Sequence, residues 1–420
     1  MRFDLKAEYS DLFRLGLPVL VTQLGVIVVN FADTMMVGHY GTPELSSAAF
    51  VNSLFLIPLV MQLGFANGLT PLVGALFSRG SFMKAGRLMK AGLISNVILS
   101  LIFMAIMGIL YFFLPYFGQD EDLLPIIRPY YLIALASLLP GAVFCACQQV
   151  ANGSTDTAMP MWVMISGNVF NIFGNWMLIW GIGPFPELGL VGAGISTLTA
   201  RSLMAVAILL LFLLRKRYSN YITGMRLRLR GRGIMREVVL TSYPVMIQSG
   251  VECMLWSVGA IVCGGFGKLQ IAGFQVTNTI GQLGFMIYIS FSTAVAIRVA
   301  NYTGLNDIRG VRRTTTAGLH MLMMLGTLSS LVFILFARPL IWAFTDDQDV
   351  TAMALSLIPP LVVYQYGDAI QLVFANALRG MADVKPLLST SLISYLLIGI
   401  PVMYLMSTLL GMEAQGVYYS

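Results

Sequence analysis

The sequence predicts an all-α polytopic membrane protein. Two compositional facts and one pattern lead there. Of 420 residues, 57% are hydrophobic and only 10% are charged, whereas a soluble domain carries about a quarter charged residues. Mean hydropathy is +0.81, and a soluble chain cannot hide that much apolar surface. The apolar residues also fall in runs that reach the roughly 20 residues a bilayer crossing requires.

Taken in order, these runs lie at roughly 12–38, 46–76, 91–117, 126–151, 160–183 and 189–214. A basic stretch, RKRYSNYITGMRLRLRGRG at 215–233, interrupts them. Further runs follow at roughly 236–263, 270–300, 314–337, 350–378 and 387–410. The reading is therefore six spans before the linker and five after it. Charge supports this count. With the N-terminus placed in the cytoplasm, all Lys and Arg except Arg128, Lys268, Arg338 and the intra-span Arg201 fall on the cytoplasmic side. The opposite loops collect acids, Asp120, Glu121 and Asp122, then Asp346, Asp347 and Asp349. This is the positive-inside pattern.

The chain also repeats itself. A single constant shift lays Pro18 on Pro244, Gly38 on Gly264, Gly41 on Gly267, Arg87 on Arg313, Gly92 on Gly318, Pro160 on Pro386 and Glu187 on Glu413. An even number of spans per repeat gives two like-oriented bundles related by a pseudo-twofold axis along the membrane normal. The expected lobes are 1–219, spans 1–6, and 220–420, spans 7–11. After Glu413 only AQGVYYS remains, so a twelfth helix is expected to be missing from this sequence.

Several classes of function fall away. The net charge of +6 sits in short loops, so topology explains it and no nucleic-acid partner is expected. Cys145, Cys147, Cys253 and Cys263 all lie in apolar segments. Cys145 and Cys147 point about 200° apart on a helix, which is not a zinc pair, and no disulfide framework is suggested. The N-terminus, MRFDLKAEYSDLF, lacks the core and cleavage site of a signal peptide. GGFGKL at 264–269 fails the phosphate-loop pattern, so nothing points to ATP. NGS at 152–154 and NYT at 301–303 fall on the cytoplasmic side and are read as chance matches to a glycosylation acceptor. His39 and His320 are isolated near span ends and receive no chemistry. Met and aromatic residues are read mainly as packing and lipid-facing groups, a minority of them lining an adaptable pocket.

Three acids lie well inside spans: Asp33, Glu252 and Asp368. A charge at a helix centre costs roughly 2.5–3.5 kcal/mol on insertion scales. Such acids can be protonated or paired, yet the single base near mid-span is Arg201. The default reading is an ion or proton pathway. Neighbours at helical spacing strengthen it: Tyr364 and Gln371 flank Asp368, Gln248 precedes Glu252 by a turn, and Asn30 precedes Asp33. Asn168, Asn171 and Asn175 line one face of the fifth span. Carboxylate and amide oxygens suit a small hard cation such as Na⁺. The same carboxylates could take up protons instead. Inter-helix hydrogen bonding is an equal account of the Asn stripe.

Two six-span repeats, NFADTMMVGHYG in the first span, NGSTDTAMP after the fourth and YQYGDAIQLVFANALRGMADVKP at the tenth resemble the MATE family, the multidrug and toxic compound extrusion transporters. The resemblance covers nearly the whole chain. It implies an N-lobe cation site at Asp33, completed by Asn171, Asn175 and Thr197. It also implies a C-lobe site at Glu252 and Asp368, with Tyr364 beside them, as in the NorM-like branch. Asn30, Gln248, Gln371 and Asn168 are the candidates for the substrate cavity. What the resemblance implies is a monomeric, non-enzymatic antiporter of the bacterial inner membrane. It would export organic, cationic drugs by alternating access, with Na⁺ or H⁺ as the coupling ion and no cofactor beyond it. Membrane lipid and small organic cations are the expected partners. A lipid-linked oligosaccharide flippase of the same superfamily is the alternative. That function wants an Arg-rich groove for pyrophosphate, and Arg201 is its single intra-span candidate.

Overall fold

The computed structural model describes residues 5–118, 120–227 and 233–419. The first four residues, Gln119, Ser420 and 228–232 of the expected basic linker lie outside the described residues, and the Glu121 side chain is likewise not described. The described chain is helical, with no strand in it. In order come α1 (Leu5–Tyr40), α2 (Thr42–Asn67), α3 (Leu69–Ser78), α4 (Phe82–Phe112), α5 (Leu124–Gly153), α6 (Ala158–Trp180) and α7 (Gly189–Leu214). A short α8 (Ser219–Arg226) follows, then α9 (Gly233–Gly265), α10 (Lys268–Gly304), α11 (Ile308–Leu335), α12 (Ala337–Trp342) and α13 (Gln348–Gly380). The last elements are α14 (Val384–Leu409) and α15 (Glu413–Tyr419).

Ten helical stretches among the described residues are long and apolar enough to cross a membrane, α2 and α3 counting as one. The protein is therefore a multi-pass membrane protein. The fifth expected span is α6, which is 23 residues long but stands outside those ten. Its three asparagines, two of which make polar contacts described below, dilute the apolar signal. Outward-facing Ile109, Leu214, Ile261, Met324 and Leu397 are each more than 60% exposed, a surface that lipid rather than water can cover.

Local chemistry sets the boundaries. Asp347 caps α13, accepting the Asp349 N–H at 2.8 Å and the Val350 N–H at 3.3 Å. Asp307 caps α11 through the Gly310 N–H at 3.0 Å. Proline opens α2 and α5 within their first two positions, where its missing N–H costs nothing. Two π-helical stretches, Ile393–Gly399 and Leu405–Leu409, flank Pro401 in α14. Proline cannot donate to the preceding turn, and wider turns redistribute the freed carbonyls. The α8 segment is tied down by the Tyr218 hydroxyl, which donates to buried Asp156 at 2.9 Å. Burial and the Asp156 charge raise the Tyr218 phenol above its ordinary range.

The chain packs as two units. One comprises residues 21–246; the other joins the residues up to Leu20 with those from Ile247 onward. Both divisions fall inside a helix, just after Pro18 in α1 and just after Pro244 in α9, at equivalent positions of the repeat. The expected limits at 219 and 220 follow the linker along the chain. By packing, each unit instead takes the first part of one proline-containing helix from the other stretch of sequence. In the second unit Leu12 and Leu15 are buried with Phe291, Val295 and Val373. Glu8, 1% exposed, is held there by the Tyr302 hydroxyl at 2.6 Å, Thr314 at 2.9 Å, Arg313 at 2.8 Å and Arg298 at 3.2 Å.

The repeat extends to individual contacts. A Cβ on Gly92 would press on Leu69, and one on Gly318 would press on Val295. A Cβ on Gly153 would meet the Thr70 carbonyl and Val73, and one on Gly380 the Ala296 carbonyl and Val299. The shift that carries Pro18 onto Pro244 also carries Leu69, Thr70 and Val73 onto Val295, Ala296 and Val299. Gly380 itself stands one position past the match to Gly153. Left-handed backbone recurs as well, at Gly80 and Asn306 and at Thr155 and Ala382. Close helix approach is thus built twice on equivalent surfaces. We expect Gly380→Ala, whose Cβ would sit 2.6 Å from the Ala296 carbonyl, to destabilise by about 1–3 kcal/mol. A lower midpoint of thermal unfolding in detergent would show it; an unchanged midpoint would mean that the helices part freely there.

Candidate functional site

The two packing units each hold a cluster built on intra-span acids. In the 21–246 unit, Asp33 is carried by α1 and faces the polar stripe of α6. Its carboxylate accepts a hydrogen bond from Asn175 Nδ2. In the amide orientation that satisfies its neighbours, Asn171 donates to the same Asp33 oxygen at 3.1 Å. Its own oxygen then accepts from the Thr197 N–H and hydroxyl, each at 3.2 Å. Asn171 is 3% and Asn175 0% exposed. The spacing explains the arrangement, since residues four apart on α6 lie one above the other. Asn175 Oδ1 is buried with no hydrogen-bond partner. A buried acceptor without a donor is costly. Here it stands next to a carboxylate, so the ligand that would satisfy it is positive.

The structure thus brings Asp33, Asn171, Asn175 and Thr197 together. The two N-terminal candidates for the substrate cavity stand apart from this cluster. Asn30 is exposed, and its backbone carbonyl accepts from Thr34. Asn168 lies against Gly25 of α1, about two turns before Asp33, with its Nδ2 unpartnered. Arg201 follows Thr197 by one turn on α7. It donates to Ser137 Oγ at 2.9 Å, and its charge acts on Asp33.

The second cluster lies in the other unit. Asp368 of α13 is 4% exposed. Tyr364 lies one turn earlier on the same helix, and the charge of Glu252 on α9 acts on Asp368. The Tyr364 ring stands edge-on to Trp256, with centroids 5.3 Å apart. Gln371, expected beside Asp368, turns instead to α14 and donates to the Tyr395 hydroxyl. Gln248, expected beside Glu252, accepts from Arg379 at 3.0 Å.

Arg379 changes the picture drawn from sequence. Its position just past the expected run at 350–378 put it on the cytoplasmic side. It lies in the last turn of α13, and its side chain reaches back along the helix to Gln248 and to Asn376 at 3.2 Å. There its charge acts on Glu252. Sequence reasoning also missed Tyr395, which faces both Glu252 and Asp368. The helical spacing of Asn376 to Arg379 was the available signal for the arginine. Nothing in the sequence pointed to Tyr395.

The chemistry of the two clusters is similar. Each offers carboxylate, amide and hydroxyl oxygens in a setting where an uncompensated negative charge is expensive. Such oxygens are ligands for a hard monovalent cation or acceptors for a proton. No group of three or more His, Cys, Asp or Glu side chains suited to a transition metal occurs among the described residues.

Comparison with known proteins adds an independent line. The sequence profile of the MatE family matches residues 18–177 and again 244–405, two segments that open on Pro18 and on its repeat counterpart Pro244. The chain is 27% identical over 406 residues to multidrug resistance protein NorM of Photobacterium profundum, covering 96% of this chain and 88% of that one. It is 26% identical to NorM of Vibrio cholerae serotype O1, with the same coverage. Among solved structures, the Vibrio cholerae MATE transporter VcmN in its bent form superposes with a TM-score of 0.87 at 18% identity, over 99% of this chain and 93% of that one. The eukaryotic MATE transporter AtDTX14 gives 0.84 at 19% identity, over 99% and 92%.

Proposed function

The chain belongs to the MatE family, and on that premise we propose that it is a secondary active exporter of organic, cationic compounds. Inward movement of Na⁺ or H⁺ drives it, through alternation between inward-open and outward-open states. The observation that carries this reading is the pair of intra-span acid clusters, one per unit, with the orphaned Asn175 oxygen beside Asp33. The names of the relatives, multidrug resistance proteins, supply the substrate class.

Asp33 with Asn171, Asn175 and Thr197 forms one cation site; Glu252, Asp368 and Tyr364 form the second. An ion bound at a carboxylate favours the state that binds it better, and a cationic drug favours the other. The two ligands therefore reduce each other's affinity by the same factor. The protein acts as a monomer in the bacterial inner membrane, and the loop charges support a cytoplasmic N-terminus. Ethidium efflux from proteoliposomes, with Na⁺ and pH gradients imposed separately, tests the proposal. At least one gradient should drive uphill dye movement. Dye that only equilibrates under both would point to a passive pore.

A further inference from the structure

Each acid cluster contains a guanidinium parked on neutral oxygens. Arg201 follows Thr197 by four residues, about 6 Å along the axis. Thr197 touches Asn171, and Asn171 touches Asp33. Yet Arg201 makes its one described hydrogen bond to Ser137, at 2.9 Å. In the other unit Arg379 rests on Gln248 and Asn376, one turn from Glu252. Among the described residues neither arginine forms a direct ion pair with its acid.

The internal repeat does not produce this arrangement. The shift that superposes the two prolines places Asp33 on Gly259 and Glu252 on Val26, and with the one-residue offset seen at Gly380 it places Arg379 on Asn152. The two units reached acid plus nearby guanidinium from unrelated positions. A duplicated scaffold would have repeated the residues.

We propose that Arg201 is a resident counter-cation for Asp33, and Arg379 for Glu252. Each compensates the carboxylate when the transported cation has left, and weakens the hold on that cation when it is present. This rests on the cation-site reading above and assigns its release step. An emptied carboxylate within a span would otherwise be stranded in a poorly solvating medium. A guanidinium on the carboxylate itself would occupy the oxygens a cation needs. Held on Ser137, Arg201 is near enough to act and too far to block. Both arginines are positioning residues, acting through the field at the acids.

The full-length chain in detergent provides the test, with thermal unfolding followed against Na⁺ concentration and, separately, pH. Cation binding to the native state raises the midpoint, so the half-saturating concentration can be read from the curve. Arg201→Gln should lower that concentration by about tenfold, because a like charge no longer opposes the incoming cation. Ethidium efflux should slow in the same variant, because the ion leaves more slowly. Arg201→Lys should stay close to the parent protein. Ser137→Ala should shift the concentration the opposite way, since a freed guanidinium can approach Asp33. An unchanged or raised value for Arg201→Gln overturns the proposal. So does a shift of Ser137→Ala in the same direction as Arg201→Gln, which would mark altered packing. A parent protein indifferent to both cations overturns the antiport reading itself, and shows before any variant is made.

Discussion

Asp368→Asn should abolish ion-driven efflux while leaving the protein folded. Asp368 is 4% exposed and lies within reach of the Glu252 charge. Two acids so placed repel unless a cation or proton sits between them. That mutual cost is what makes the empty site receptive. Asparagine keeps the shape and one acceptor oxygen, but it removes a full charge. A unit charge ~4 Å from a cation is worth ~4 kcal/mol at an effective dielectric near 20, so uptake should weaken by about 100-fold or more. Glu252 would then face only Arg379, a compensated pair with no need of an incoming ion. Glu252→Gln should behave differently. It leaves Arg379, held by Gln248 and Asn376, without the nearby negative charge and should lower the unfolding midpoint as well as transport. Initial rates of dye efflux, read beside thermal unfolding, separate the two variants. Asp368→Asn vesicles that extrude dye at the parent rate would remove the second cluster from the mechanism.

Glu8→Ala should be among the most damaging single changes to stability. Its carboxylate, 2% exposed, takes hydrogen bonds from Tyr302, Thr314, Arg313 and Arg298. Removing it leaves two guanidinium groups facing each other without the anion between them. Breaking a buried pair in this way costs about 3–5 kcal/mol; since Arg298 and Arg313 are 21% and 32% exposed, the lower end applies. Asp11 is the natural control. It also bonds Arg298, at 2.9 Å, but is 42% exposed, and such surface pairs are worth at most about 1 kcal/mol. Asp11→Ala should therefore shift the unfolding midpoint little and Glu8→Ala far more. Equal midpoints would show that Glu8 does not anchor the start of α1.

The spans were legible in the sequence because lipid enforces a minimum apolar length. Gly189–Leu214 matches its expected run at both ends. The repeat was legible because tight helix contacts tolerate only glycine at places such as Gly92 and Gly318. The Asp33 cluster was partly legible, since Asn171 and Asn175 share a face of one helix. Asn30 and Asn168, read as candidates for the substrate cavity, make no described contact with the Asp33 carboxylate, because helical spacing fixes a direction only roughly. Arg379 was hidden for a different reason. Its charge placed it in a loop, and the length of its side chain carried it back along α13. Glu8 looked like one charge in a mixed terminal segment, because both arginines that bury it lie some 300 residues away. The sharing of α1 and α9 between units left no mark in composition; Pro18 and Pro244 were visible only as matching punctuation.

That sharing has a consequence for synthesis. The unit of residues 21–246 is complete in sequence once the ribosome has passed Met246, and it can close before the remainder exists. The first turns of α1 cannot dock then. Glu8 waits for Arg298 and Arg313, which emerge 290 and 305 residues later. During that interval a carboxylate at the start of the first helix has neither arginine to meet it. Its late capture by both guanidinium groups marks the arrival of the other unit's framework and ties the start of the chain to it.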